Sequence, residues 1–358
     1  MNKISIVHRT QFGYHTDVYK WCEYLNDTYH IDMICFDEGR PKYTMKNVTV
    51  HYGYGKGGKI VRWICFMVLC FLRLSLFRGI ILVSHFRESA FLKKMMPWRK
   101  MILDIRTFSI NPDNNKRYVE NEKLFNSVKL YDYITVISEG LRAQLPKSKE
   151  LSSVLPLGGE IIELPHKRYD RLDMLYVGTF FNRHLEETIK GFAIAKKKLP
   201  EIEMIYHIVG DGPNGEEEKL KLLCKKLAIE NDVVFYGRLP HDQLPLFYEK
   251  CNIGVSYVPI VSYYEYQPVT KTFEYIMAGL YTIATATQSN KEIINKKNGY
   301  LIEDDAHSFA NALINIAESK DLINDSDVRR SLESYTWELI VNNIMKPLLS
   351  DVGKKLYK

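Results

Sequence analysis

The sequence predicts an α/β protein made of two successive doubly wound domains. Three observations predict this. Short β-branched runs alternate with helical patterns along the chain, which marks parallel sheets covered on both faces. The alternation stops once, at the polar, proline-broken stretch EIIELPHKRYDRL that starts at residue 160, and then begins again. The 358 residues, 46% of them apolar, are enough for two cores of ordinary size.

Taken in order, KISIVH (3–8) is a strand and 16–28 a helix. IDMICF (31–36) and VTVHYG (48–53) are strands, 60–77 is an apolar helix, and GIILVSH (79–85) and KMILDIRT (100–107) are strands. A helix over 115–130, YITVIS (133–138) and SSVLPLGG (152–159) complete a first domain over 1–160, and 161–172 form a linker. The pattern restarts with DMLYVG (173–178) and a helix over 184–198 that ends in three lysines, as suits a helix C-terminus. EMIYHIVG (203–210), DVVFYG (232–237), IGVSYVP (253–259) and YTIATAT (281–287) follow as strands with helices between them, giving a second domain over 173–330. The remaining 331–358 contain an amphipathic helix, LESYTWELIVNNIMKPL (332–348).

Composition narrows the classes. The opening MNKISIVHRT has no apolar leader core, so a cytoplasmic location is expected. The six cysteines show no CxxC spacing, which argues for reduced buried thiols rather than zinc or disulfides. The net charge of +6 divides into +8 over 1–165 and −2 over 166–358, so the first half is expected to meet an anionic partner or surface. In IVRWICFMVLCFLRLSLF (60–77), Arg62 and Arg73 leave about ten apolar residues between them, short of the ~20 that cross a bilayer. A buried helix is the expectation there, with an interfacial membrane helix as the alternative.

Ligands of doubly wound sheets bind where strands end and helices begin. Three places in the second domain fit. Gly178 ends a strand and is followed by Arg183, which could grip a phosphate; an ordinary turn with a solvated arginine is the plain alternative. Gly210-Asp211-Gly212-Pro213 leaves another strand; it is not GxGxxG, and taken alone it reads as a tight turn. Pro268 precedes a helix on which Lys271 and Glu274 stand three apart. A surface ion pair is the plain reading of these two. The apolar run after Glu274 argues instead for buried partners such as sugar hydroxyls, with Lys271 suited to a diphosphate.

The order of these motifs, continued by VVFYGRL (233–239), YEKCNIGVSYVP (248–259), P-x-x-K-x-x-E-Y and NKKNGYLIEDD (295–305), closely resembles the glycosyl transferases group 1 domain of retaining, family 4-like glycosyltransferases. The likeness is good over about 173–320. In the first half it rests on DYITVISEGLRAQL (132–145) and SSVLPLGG. It implies a GT-B fold, two Rossmann-like doubly wound domains facing a cleft, with the C-terminal helix returning to the first. It implies transfer of a sugar from a nucleotide-diphosphate sugar to a saccharide or lipid-linked acceptor, with retention, in surface polysaccharide or glycolipid assembly. Neither a cofactor nor an obligatory metal is implied. No nucleic-acid partner is expected, and the basic first half is read as a peripheral contact with an anionic membrane at its inner face.

Residue by residue, the resemblance places Glu274 on the ribose and Arg183 and Lys271 on the donor diphosphate. Gly178, Gly210, Asp211 and Gly212 then shape the nucleotide turn, and Gln288 and Ser289 stand where many members have paired glycines. The sequence departs from the family in three places. The first of two glutamates should fall at Tyr266, with Glu265 one residue away. Thr179 replaces an arginine. Arg106 stands in place of a strand-end histidine near the sugar, and is taken as catalytic on that ground. Two other readings stay open: a GT-B sugar-nucleotide epimerase using Glu265 and Asp104, and a non-catalytic nucleotide-sugar-binding subunit.

Overall fold

The computed structural model of the chain describes residues 2–147 and 149–356. Met1, Ser148, Tyr357 and Lys358, which fall within the first and last expected domain spans, lie outside the described residues. The chain divides into two compact units, Met1–Gly158 with Trp337–Lys358, and Gly159–Thr336.

The first unit holds β1 (Asn2–Val7), β2 (Tyr29–Phe36), β3 (Val48–Gly53), β4 (Ile80–Ser84), β5 (Ile102–Ile105), β6 (Tyr133–Val136) and β7 (Ser152–Val154). They form one sheet in the order β3-β2-β1-β4-β5-β6-β7, every pairing parallel. The second unit holds β8 (Leu172–Val177), β9 (Met204–Val209), β10 (Val233–Phe235), β11 (Ile253–Ser256), β12 (Tyr281–Thr285) and β13 (Gly299–Ile302). These too are all parallel, in the order β10-β9-β8-β11-β12-β13. Both sheets start in the middle, wind to one edge and cross back, so the winding reverses between β1 and β4 and between β8 and β11. Each is a Rossmann-like doubly wound sheet. Central strands such as β4, β5 and β12 are buried along their whole length, which is why they read as unbroken apolar or β-branched runs.

The structure differs from expectation at four elements. β7 stops at Val154, and Pro156, which has no N–H for the ladder, follows. β13 was not foreseen as a strand. It is a four-residue edge, admitted because Gly299 passes so close to β12 that a Cβ there would lie 2.0 Å from the Thr282 carbonyl oxygen. The last helix is not 332–348. Thr336 is extended, and the helical run starts at Trp337, passes through a π-turn at Val341–Met345 and continues over Lys346–Leu356. The π-turn lies just before Pro347, whose ring and missing N–H break the ordinary ladder. The helix Lys59–Leu74 is only half buried: Phe66, Met67, Cys70 and Leu74 face the core, while Ile60, Ile64, Val68 and Leu72 are exposed.

Trp337 is the hinge of the first unit's terminal segment. It is 1% exposed and belongs to a core that includes Leu155, Ile340 and Val341. A Cβ on Gly158 would stand 2.8 Å from its ring, so that turn is moulded to the indole. Trp337→Ala should therefore cost about 3–5 kcal/mol in urea unfolding. A loss below ~1 kcal/mol would mean that the segment is not part of the core.

Candidate active site

The second unit gathers its polar, glycine-rich loops at the C-terminal ends of β8, β9, β11 and β12, around the point where the winding reverses. Backbone proximity shapes the floor. Gly178 and Gly210 both adopt positive φ, +148° and +142°. A Cβ on Gly210 would lie 1.8 Å from the Gly178 carbonyl oxygen, so only glycine lets the two strand ends meet. The Phe180 N–H donates to the Asp211 carbonyl at 2.8 Å and ties the two turns together. The Asp211 side chain is exposed, and Gly212 leaves room for the Glu216 carboxylate, which accepts from the Asn214 N–H at 2.7 Å. The GDGP turn is thus both a tight turn and one wall of the site.

Two cations enter from neighbouring strand ends. Lys271, on the helix Thr270–Met277, is 8% exposed. Its Nζ lies 3.9 Å from the centroid of the Tyr176 ring and 3.4 Å from the Tyr257 carbonyl oxygen. Arg183, in the loop after β8, stands over the Tyr264 ring at 4.6 Å, and its Nη1 is buried without a hydrogen-bond partner. Among the described residues neither forms an ion pair. Burial pushes the Lys271 ammonium well below the usual lysine range, and the charge of Arg183 pushes it further. A lysine held this way is stabilised by ring faces and a carbonyl alone and gains most from an incoming anion. The surface ion pair with Glu274 does not form. The two side chains diverge, and the Glu274 carboxylate accepts instead from the Tyr248 hydroxyl at 3.2 Å.

The helix itself is closed by glycine. Gly279 has φ +82°, its N–H donates to Ile276, and the Leu280 N–H donates to Tyr275, a Schellman stop. Its N-cap is Val269, so Pro268 lies just outside the helix and not at its first turn. The Tyr275 hydroxyl accepts from the Val177 N–H at 2.7 Å and pins the helix to the end of β8. Glu265 is engaged elsewhere: its carboxylate accepts from the Gln288 N–H at 2.9 Å, and its carbonyl from the Ser289 N–H at 2.8 Å. It therefore seats the start of the helix Gln288–Ile293, where a negative charge is favoured. The Ser289 hydroxyl and the Tyr257 hydroxyl are buried without partners, so the segments that follow β8, β11 and β12 each carry an orphaned polar group.

In the first unit, Arg106 follows β5 and is held on both terminal nitrogens, while its Nε is buried without a hydrogen-bond partner. Its Nη2 pairs with Asp17 at 2.7 Å, its Nη1 donates to the Leu155 carbonyl at 2.7 Å, and its guanidinium lies over the Trp21 ring at 5.2 Å. This makes it a clamp between β5, the helix Thr16–Leu25 and the stretch after β7, rather than a free cation for a substrate. Asp104 is buried beside it and accepts from the Thr135 hydroxyl at 2.7 Å; burial raises its carboxyl to about 6 against the pull of Arg106. Sequence reasoning missed His85, which follows β4 and lines a cavity of about 420 Å³ with Arg87, Thr107, Ser109 and Glu120. Burial lowers its imidazole to about 4, which leaves the ring neutral at pH 7. The signal was present: a histidine directly after an apolar strand.

Solved structures share this architecture. Sucrose-phosphate synthase from Thermosynechococcus elongatus superposes with a TM-score of 0.77 at 17% identity, over 98% of this chain and 99% of that one. Anabaena Alr3699/HepE in complex with UDP and glucose gives 0.74 at 14% identity, over 98% and 100%. TarM from S. aureus, in complex with Fondaparinux, alpha-GlcNAc-glycerol and UDP, gives 0.72 at 12% identity, over 97% and 99%. The fold is that of the GT-B glycosyltransferases. Residues 171–319 match the model of the glycosyl transferases group 1 family, so the second unit carries a domain of that family. No curated protein matches the chain by sequence.

The state of Lys271 has a consequence for stability. Its folded value lies below the unfolded value of ~10.4, so at lower pH the folded protein must hold a buried charge. That penalty is relieved as pH rises from the lowered value towards the ordinary one. Lys271→Met should therefore be more stable than the parent near neutral pH, and the difference should shrink as pH rises through that window. Parallel stability curves over about pH 6–10 in urea titrations would contradict the burial of a strained ammonium.

Proposed function

We propose that the chain is a glycosyltransferase that moves a sugar from a nucleoside-diphosphate sugar to an acceptor hydroxyl with retention, in surface polysaccharide or glycolipid assembly. The observation that carries the reading is the pair Lys271 and Arg183, two partly or fully buried cations without a carboxylate, set among orphaned polar groups at the strand ends. Each buried polar group without a partner needs an account, and a diphosphate would supply two adjacent negative groups to this pair of cations. Glu274, with Tyr248 behind it, is assigned to the ribose hydroxyls.

In this reading the bond between the anomeric carbon and the diphosphate oxygen breaks, and a bond from that carbon to the acceptor oxygen forms on the same face. The acceptor's proton passes to an oxygen of the leaving diphosphate. Negative charge grows on that diphosphate as the bond breaks. Lys271 and Arg183 stabilise it from fixed positions. Lys271 strengthens as the anion develops, because its low proton affinity in the empty site rises once a negative group is beside it. These cations take the part that a metal plays elsewhere. The acceptor is assigned to the first unit, where the cavity beside His85 offers neutral and charged hydrogen-bonding groups for a saccharide. A cytoplasmic protein docked on the inner face of an anionic membrane would meet a lipid-linked acceptor there. The complexes of HepE with UDP and glucose and of TarM with UDP support the choice of donor.

The epimerase alternative gains nothing, since Glu265 caps a helix and Asp104 is fully buried in the sheet of the first unit, where it accepts from the Thr135 hydroxyl. With a panel of nucleotide sugars, Arg183→Ala and Lys271→Ala should each lower turnover by about 10²–10³ while donor binding weakens far less. Full rates in both variants would overturn the reading. Donor binding by the parent with no transfer to any acceptor or to water would make the chain a binding subunit.

A further inference from the structure

The helix Lys59–Leu74 divides into three arcs when its residues are placed at about 100° per residue. One arc, with Phe66, Met67, Cys70 and Leu74, is buried in the first unit. A second, with Ile60, Val61, Ile64, Val68 and Leu72, is exposed, between 47% and 74% of each side chain's residue area. Arg62 and Arg73 lie on the far side of that stripe. Leu76, 87% exposed, continues it beyond the helix end, and Phe91, 46% exposed, flanks it through the Trp63 ring at 5.4 Å. A contiguous water-facing stripe of large aliphatic side chains is unusual for a helix that already has a core face.

The stretch of sequence that carries it has charge of one sign. From Gly39 to Arg87 the chain carries nine lysines and arginines and no aspartate or glutamate. Lys56, Lys59, Arg73 and Arg78 are exposed, and among the described residues none of them forms an ion pair. The helix is about 24 Å long, and no helix among the described residues is long and apolar enough to cross a membrane. An apolar stripe on a helix that itself carries no acidic residue, with exposed cations, unpaired among the described residues, at both of its ends, matches the boundary between anionic headgroups and acyl chains.

We infer that the stripe Ile60–Leu72 with the basic residues at its ends is a membrane-docking surface that lays this helix flat into an anionic leaflet. Ile64, Val68 and Leu72 enter the acyl boundary, and Lys56, Lys59 and Arg78, at the two ends of the stripe, meet lipid phosphates. The inference deepens the membrane part of the proposed function and rests on that reading for its purpose, while its evidence lies in the first unit alone.

The test is co-sedimentation of the full chain with vesicles of phosphatidylcholine alone or mixed with phosphatidylglycerol. The chain should bind the mixed vesicles, bind the neutral ones weakly, and release as salt rises. The triple variant Ile64→Ser/Val68→Ser/Leu72→Ser should partition less by about tenfold or more. Lys56→Gln/Lys59→Gln/Arg78→Gln should lose the salt dependence. Circular dichroism and a urea unfolding midpoint like the parent's check that the variants fold. Absence of vesicle binding, equal binding by the serine variant, or self-association through the stripe in its place would overturn the inference. Vesicle binding needs no donor or acceptor. A chain that binds vesicles and transfers no sugar therefore sinks the transferase reading alone, and one that transfers sugar and ignores vesicles sinks this inference alone.

Discussion

A lysine ammonium buried without a carboxylate is the constraint on which the second unit's site depends. Burying a charge is costly, and proteins ordinarily pair it or let it lose its proton. Lys271 has only the Tyr176 ring face and the Tyr257 carbonyl to offset its charge, while burial and a neighbouring arginine raise the cost of holding it. The surrounding construction keeps that strained arrangement in place. The Tyr275 hydroxyl holds the helix to the end of β8, a Schellman turn ends it after two turns, and Glu265 anchors the next helix beside it. Gly178 and Gly210 bring two strand ends together so that Arg183 can approach from the other side.

Much of this was legible in the chain, because it rests on local rules. Both sheets could be read from strand–helix alternation, and the strand-end glycines and the cations were found by position and spacing. Other features depend on tertiary neighbours that spacing does not encode. Lys271 and Glu274 have the separation of a surface pair, yet one turns to Tyr257 and the other to Tyr248. Glu265 could be named but not its role, since its partners are backbone N–H groups more than twenty residues away. Arg106 was singled out as a cation near the sugar, but Asp17, from a helix far earlier in sequence, holds it. β13 was missed because a four-residue edge has too few residues to show a period.

The helix Lys59–Leu74 shows how amphipathicity can mislead. Its apolar sequence argued for a buried helix, with an interfacial one as the alternative. A single sheet face covers only one arc, and the rest must meet water or something that replaces it. The absence of acidic residues over 39–87 was visible from the start but acquires meaning only when that exposed arc is known.

The most direct test of the central claim compares the affinity of a nucleoside diphosphate with that of its nucleoside, by calorimetry, in the parent and in Arg183→Gln/Lys271→Met. The diphosphate should bind the parent far more tightly than the nucleoside. It should also draw a proton onto Lys271 at alkaline pH, seen as a dependence of the heat on the buffer. In the double variant the diphosphate's advantage and the proton uptake should both collapse while nucleoside affinity holds. An undiminished advantage would show that the phosphates lie elsewhere and that these two cations are not their site.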